Sequence, residues 1–95
     1  LEDVVREGTR VLKPGGRFFM VHRPRRLIEI ITVMKRHGLE PKRMKMVHPY
    51  ADREANMVLI EAVRGGGPLL KMEAPVIVFD QNGEYSPEIR TTYGY

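Results

Sequence analysis

Residues Lys13-Pro14-Gly15-Gly16 decide how the start of this chain can fold. Before them, Leu1, Val4, Val5, Val11 and Leu12 recur at helical steps with Glu2, Asp3, Arg6, Glu7 and Arg10 in between, the period of an amphipathic helix. At Pro14 that helix must stop, because proline has no amide hydrogen for the ladder and the two glycines accept backbone angles closed to other residues. After them, Arg17-Phe18-Phe19-Met20-Val21-His22 is a short, mostly apolar run. It predicts a strand buried on both faces, as in a parallel sheet. Gly8 interrupts the helical pattern at up to about 1 kcal/mol relative to alanine, and is expected there only where a neighbour packs close.

The remaining pattern continues the alternation of helix and strand. Pro24 suits the first turn of a second helix whose apolar residues are Leu27, Ile28, Ile30, Ile31 and Met34,. Lys35, Arg36 and His37 complement the negative end of that helix, and Gly38 supplies a left-handed cap. From Arg43 to Pro49 the residues alternate with period two, and Asn56 to Val63 is nearly continuous in apolar character. Both read as strands, joined by the polar Tyr50 to Glu54 link. Helix, strand, helix, strand, strand predicts an α/β sheet whose last two strands pair antiparallel. Gly65-Gly66-Gly67-Pro68 is a composition break, dividing a unit over residues 1–64 from a tail over 65–95. In the tail, Leu69 to Met72 and Pro75 to Phe79 read as short extended segments, Asp80 to Gly83 as a turn, and Ser86 as the cap of a helix from Pro87.

A chain of 95 residues is one small domain that buries only roughly 60–65% of its unfolded surface. It has no cysteine, which closes disulfide and thiolate-zinc readings and favours a reducing, cytoplasmic setting. No apolar run approaches the ~20 residues of a membrane span. The chain opens at Leu1 inside an amphipathic pattern, so a preceding segment is expected. Its net charge of +4 and pI near 9.7, with basic residues concentrated between Arg17 and Arg53, fit an anionic partner or simply a solvated basic face.

The order helix, Leu12-Lys13-Pro14-Gly15-Gly16, strand, helix and antiparallel pair resembles the C-terminal half of class I S-adenosylmethionine-dependent methyltransferases. In those proteins a helix ending in this motif leads into the fifth strand of a seven-stranded Rossmann-like sheet. A narrower resemblance rests on Val21-His22-Arg23-Pro24, Leu39 to Arg43, Val47-His48-Pro49, Glu54 to Ala62, Val78-Phe79-Asp80 and Glu84 to Arg90. Together these resemble the bacterial tRNA adenine-N6 methyltransferases that modify an anticodon-loop adenosine of a valine tRNA, members of which are often labelled predicted O-methyltransferases. The resemblance implies S-adenosylmethionine as cofactor of a longer parent, tRNA as substrate, and a missing N-terminal half as partner. The glycine-rich loop after the first strand, the ribose-binding acid and the Asn-Pro-Pro-Tyr motif of such enzymes match no position here. This chain alone is therefore expected to carry no catalytic, cofactor or metal residue and to be inactive. Other readings are a non-catalytic RNA-binding or assembly module, and part of a small-molecule O-methyltransferase.

Candidate contacts to RNA follow from charge and place. Arg23, Arg25 and Arg26 come just after the first strand, at the edge where open α/β sheets bind ligands, and guanidinium forks suit phosphate oxygens. Lys42, Arg43 and Lys45 form a weaker, alternating set. Gly15 and Gly16 read as turn residues, because a helix precedes them and no phosphate-loop lysine follows. His22, His37 and His48 lack metal-ligand spacing. Asp3, Glu7, Glu29 and Glu61 are taken as structural. Tyr85, Tyr93 and Tyr95 either stack on bases or pin the tail. Met20, Met34, Met44, Met46 and Met57 are assigned to the core. A sheet halved at its fifth strand exposes an edge, so a homodimer through Arg17 to His22 or the first helix is expected.

Overall fold

The computed structural model describes residues 1–93. Helix α1 (Glu2–Arg10) leads through the Pro14 turn into β1 (Arg17–His22), and a single 3-10 turn (Pro24–Arg26) opens α2 (Leu27–Arg36). Strands β2 (Leu39–His48) and β3 (Met57–Arg64) follow, then the short β4 (Lys71–Met72) and β5 (Val76–Ile77), and a terminal helix α3 (Pro87–Tyr93). The sheet runs β1-β3-β2, with β4 and β5 both added to the outer edge of β2. β3 is antiparallel to both its neighbours, whereas β4 and β5 run parallel to β2. The tail thus continues the same sheet.

Register sorts the side chains into two faces. Met20, Ile60 and Met44 form one cross-strand row, and they join Val5 of α1 and Ile30, Val33 and Met34 of α2 in the core. Both helices contribute to this face. The opposite face carries the rows Phe19, Glu61, Arg43 and Val21, Leu59, Lys45. Phe19 is 67% exposed and Val21 59% exposed.

The expectation that β1 is buried on both faces in a parallel sheet is therefore corrected. Its one neighbour, β3, is antiparallel, and only one face of β1 packs in the core. β2 also begins earlier than the alternation predicted, at Leu39. Pro41 lies inside it, and the register shifts between Pro41 and Arg43, a bulge of the kind by which a strand tolerates a residue with no amide hydrogen. In α1 only Val5 and Thr9 are buried, while Val4 within it and Val11 just past its end are exposed. Met57, assigned to the core from sequence, is exposed at the start of β3, unlike Met20, Met34 and Met44.

Other expectations hold in detail. Gly8 packs so tightly on Phe18 that an added Cβ would overlap the ring, its Cδ2 lying 2.8 Å away. Gly15 and Gly38 take positive φ angles of 84° and 79° at the predicted breaks. Ser86 caps α3, its hydroxyl accepting from the Ile89 amide at 3.3 Å and donating to the Ile77 carbonyl.

Candidate functional site

The C-terminal end of β1 and the loop between β2 and β3 meet at one end of the sheet, because His22 lies opposite Val58 and the loop enters β3 beside it. Between them is a cleft of about 560 Å³ lined by Arg23, Arg25, Met46, His48, Glu54 and Asn56. The loop is tied at its base by the Asn56 amide donating to the Val47 carbonyl at 2.9 Å. His48 Nδ1 lies 2.7 Å from the Arg53 carbonyl oxygen. These bonds hold the far wall of the cleft, while Pro24 fixes the turn that carries the two arginines.

Arg23 and Arg25 are exposed and have no carboxylate partner among the described residues. Arg26 stands next to them but is engaged, its Nε and Nη2 each donating to Glu29 at 2.8 Å. That pair also places an acid in the first turn of α2, where it offsets three arginines at the positive end of the helix,.

The second basic set does not join this cleft. Lys42 sits at the bulge and donates to the Gly67 carbonyl at 3.0 Å, tying the glycine-rich segment to β2. Arg43 lies on the open face, hydrogen-bonded to Glu61 and 3.6 Å from Glu73. Arg17 reaches the same Glu61 at 3.2 Å. The hydrogen bond from Arg43 to Glu61, with the charges of Glu61 and Glu73, raises the guanidinium above its usual range and keeps it ionised. Lys45 is half-buried beside Val21 and Leu59 on that face, where a shallow hollow of about 390 Å³ also includes Phe19 and Glu61.

Among the acids taken as structural from sequence, Asp3 and Glu7 pair with Arg6 and Arg10 on α1. Among the described residues no three His, Cys, Asp or Glu side chains converge in a way that could hold a metal. His37 instead meets Glu2 at 2.8 Å. Tyr85 stacks on Phe79 with centroids 5.5 Å apart; Tyr95 lies outside the described residues, as does any placement of the Tyr93 ring. Sequence reasoning missed His48 and Asn56 as the cleft's second wall and Glu61 as the hub of the open face. The first two were implied by the predicted antiparallel pair, whose connecting loop falls at the end of β1 only when β3 is placed between β1 and β2.

No family model matches the sequence and no curated protein does. Solved structures do match. One is a predicted O-methyltransferase from Agrobacterium tumefaciens, 22% identical, superposing with a TM-score of 0.86 over 98% of this chain and 45% of that one. The chain has the fold of part of a methyltransferase. It spans less than half the length of that relative, and a five-stranded mixed sheet with its helical layer on one face is the part it holds.

Methyltransferases of this fold use S-adenosylmethionine, and the residues of this chain do not fit a site for it. Among the described residues β1 is the one strand leading straight into a helix, and it is followed by Arg23-Pro24-Arg25-Arg26, with no glycine to let backbone approach a bound cofactor. Among the described residues no helix is long and apolar enough to cross a membrane.

Proposed function

We propose that this chain is the C-terminal half of an S-adenosylmethionine-dependent methyltransferase acting on the exocyclic N6 amine of adenine in tRNA. The cofactor and the reacting groups belong to the other half. This half supplies sheet strands, the open face on which the other half packs, and an RNA-facing rim. The observation that carries the reading is the pair Arg23 and Arg25, exposed and without carboxylate partners among the described residues, just past the C-terminal end of β1, the edge at which open α/β sheets bind ligands. Two guanidinium forks there suit adjacent phosphate oxygens.

The test is methyl transfer from radiolabelled S-adenosylmethionine into bulk tRNA by the longer protein that this reading requires, followed by nucleoside analysis. Labelled N6-methyladenosine is expected. Replacing Arg23 and Arg25 by glutamate should weaken tRNA binding and reduce the slope of log K against log salt by about one per lost phosphate contact. Label in another nucleoside, or unchanged binding in the double variant, would sink the proposal.

The Agrobacterium relative is described as a predicted O-methyltransferase, and a second reading compatible with that description is an O-methyltransferase acting on a small molecule. In that case tRNA takes no label and the arginine variants change the KM of a small acceptor instead. A third reading, an RNA-binding module that works alone, requires the 95-residue chain to bind tRNA as tightly as the longer protein does.

A further inference from the structure

Behind the β2–β3 loop, on the side away from Arg23 and Arg25, lies a second cleft of about 760 Å³. Tyr50, Arg53, Ile77, Phe79, Asp80 and Ser86 are among its lining residues. The loop is thus a ridge between two hollows: His48, Glu54 and Asn56 face one, and Tyr50 to Arg53 face the other.

One wall of this cleft carries Tyr50 and Phe79, two of a stack of three rings. Phe79 sits between Tyr50 and Tyr85, with centroids 5.5 Å away on each side and interplanar angles of 34° and 20°. The stack is held by backbone hydrogen bonds. The Val78 and Phe79 amides donate to the His48 and Pro49 carbonyls at 2.9 and 2.8 Å, and the Asp80 amide donates to Glu84 at 2.7 Å. Asp80 Oδ1 accepts from the Asn82 and Glu84 amides at 2.9 and 3.0 Å, closing the turn that returns the chain to Tyr85. These bonds leave the aromatic wall pre-arranged on the end of β2.

We infer that this cleft receives an unpaired nucleobase of an RNA whose backbone crosses the β2–β3 ridge from Arg23 and Arg25. The inference rests on the RNA reading above and adds a second subsite to it. Tyr50 keeps about a third of its surface exposed, at 36%, and every base offers a π-face to such a ring. Arg53, also exposed and with no carboxylate partner among the described residues, stands on the ridge itself, where a phosphate would pass. Asp52 and Asp80 beside the rings disfavour a free phosphate or an anionic headgroup in this cleft. They suit the N–H donors on a base edge instead.

The test uses the 95-residue chain and two probes, a short single-stranded RNA carrying 2-aminopurine and a blunt RNA duplex of the same length. Stacking needs an unpaired base, so binding of the single strand should quench the 2-aminopurine and should be tighter than binding of the duplex. Tyr50→Leu should weaken single-strand binding about 5- to 150-fold and leave duplex binding unchanged, whereas Tyr50→Trp should retain both the quench and the preference. Arg23→Glu with Arg25→Glu should weaken both probes alike. If Tyr50→Leu binds like the unmodified chain while the arginine variant is weakened, the base subsite is wrong and the phosphate contacts stand. If neither probe binds the unmodified chain, both fail.

Discussion

Arg43 on β2 and Glu61 on β3 face each other across the open side of the sheet, and the carboxylate is far the better buried of the two, with 8% of its side chain exposed against 52% for the arginine. Removing one partner is therefore not equivalent to removing the other. Arg43→Leu leaves a buried carboxylate with Arg17, 3.2 Å away, as its remaining cation. Glu61→Leu leaves two half-exposed guanidiniums that water can solvate, and it adds an apolar group between Phe19 and Leu59. Replacing a buried ion by a hydrophobe of similar size is often near neutral. Chemical denaturation should place Glu61→Leu within about 1 kcal/mol of the unmodified chain, and Arg43→Leu clearly below it. The opposite order would show that the open face is not organised around Glu61.

Gly8 offers a second test, because helix propensity and packing oppose each other there. Alanine is favoured over glycine by up to about 1 kcal/mol in a helix interior. At Gly8 the new Cβ would overlap the Phe18 ring, and forcing extra volume into a packed contact costs typically 1–3 kcal/mol. Gly8→Ala should lower the thermal midpoint. Adding Phe18→Leu, which shortens the obstructing side chain, should make the alanine less harmful than it is alone. Stabilisation by the single change would mean that α1 can move off β1 at no cost.

The Glu2 carboxylate clasps the far end of α2, accepting from Arg36 at 2.8 Å and lying 2.8 Å from His37 Nε2. The hydrogen bond from His37, and then the bond and charge of Arg36, hold Glu2 below its ordinary range. A carboxyl depressed in the folded state binds its proton more readily when unfolded. Its contribution is therefore complete above the unfolded-state value and is lost as pH falls through the lower, folded one. Melting curves from neutral pH down into the acid range should show the unmodified chain losing more of its midpoint than Glu2→Gln, the two converging at the acid end. Parallel curves would remove Glu2 from the account of how α1 is held to α2.

The element order was legible because each element carries its own period: steps of three and four in α1 and α2, alternation in the later part of β2, and a glycine or proline at each break. Which faces are covered was not. Burial of Phe19 and Val21 depends on a layer contributed from outside the strand, and a run of apolar residues reads the same with one layer or two. The Arg43 to Glu61 pair was hidden for a different reason. Pro41 lies opposite Ala62, so unbroken pairing would have put Lys42 across from Glu61, and only the register shift brings Arg43 there. Arg23 and Arg25 were found because a strand end followed by Pro24 locates them without any knowledge of register. The cleft that receives them needed the strand order.

The outer edge of β1 pairs with nothing among the described residues, since β1 is the last strand of the sheet, and an apolar strand edge is a template for a further strand. A two-fold pairing with Phe19 opposite its own counterpart would set Phe18 across from Met20 and Arg17 across from Val21. Phe18 and Met20 would then extend the helical side of the sheet, while Phe19 and Val21 from both copies, 67% and 59% exposed here, would cover one another on the open side. Such an isologous contact closes on itself. Sedimentation velocity over rising concentration should therefore show this chain passing from monomer to dimer. Phe19→Lys with Val21→Lys should hold it monomeric without loss of secondary structure, because both residues lie outside the core. A monomer at the highest concentrations would mean that the β1 edge is protected by some means other than pairing. A dimer unaffected by the two lysines would move the interface to α1.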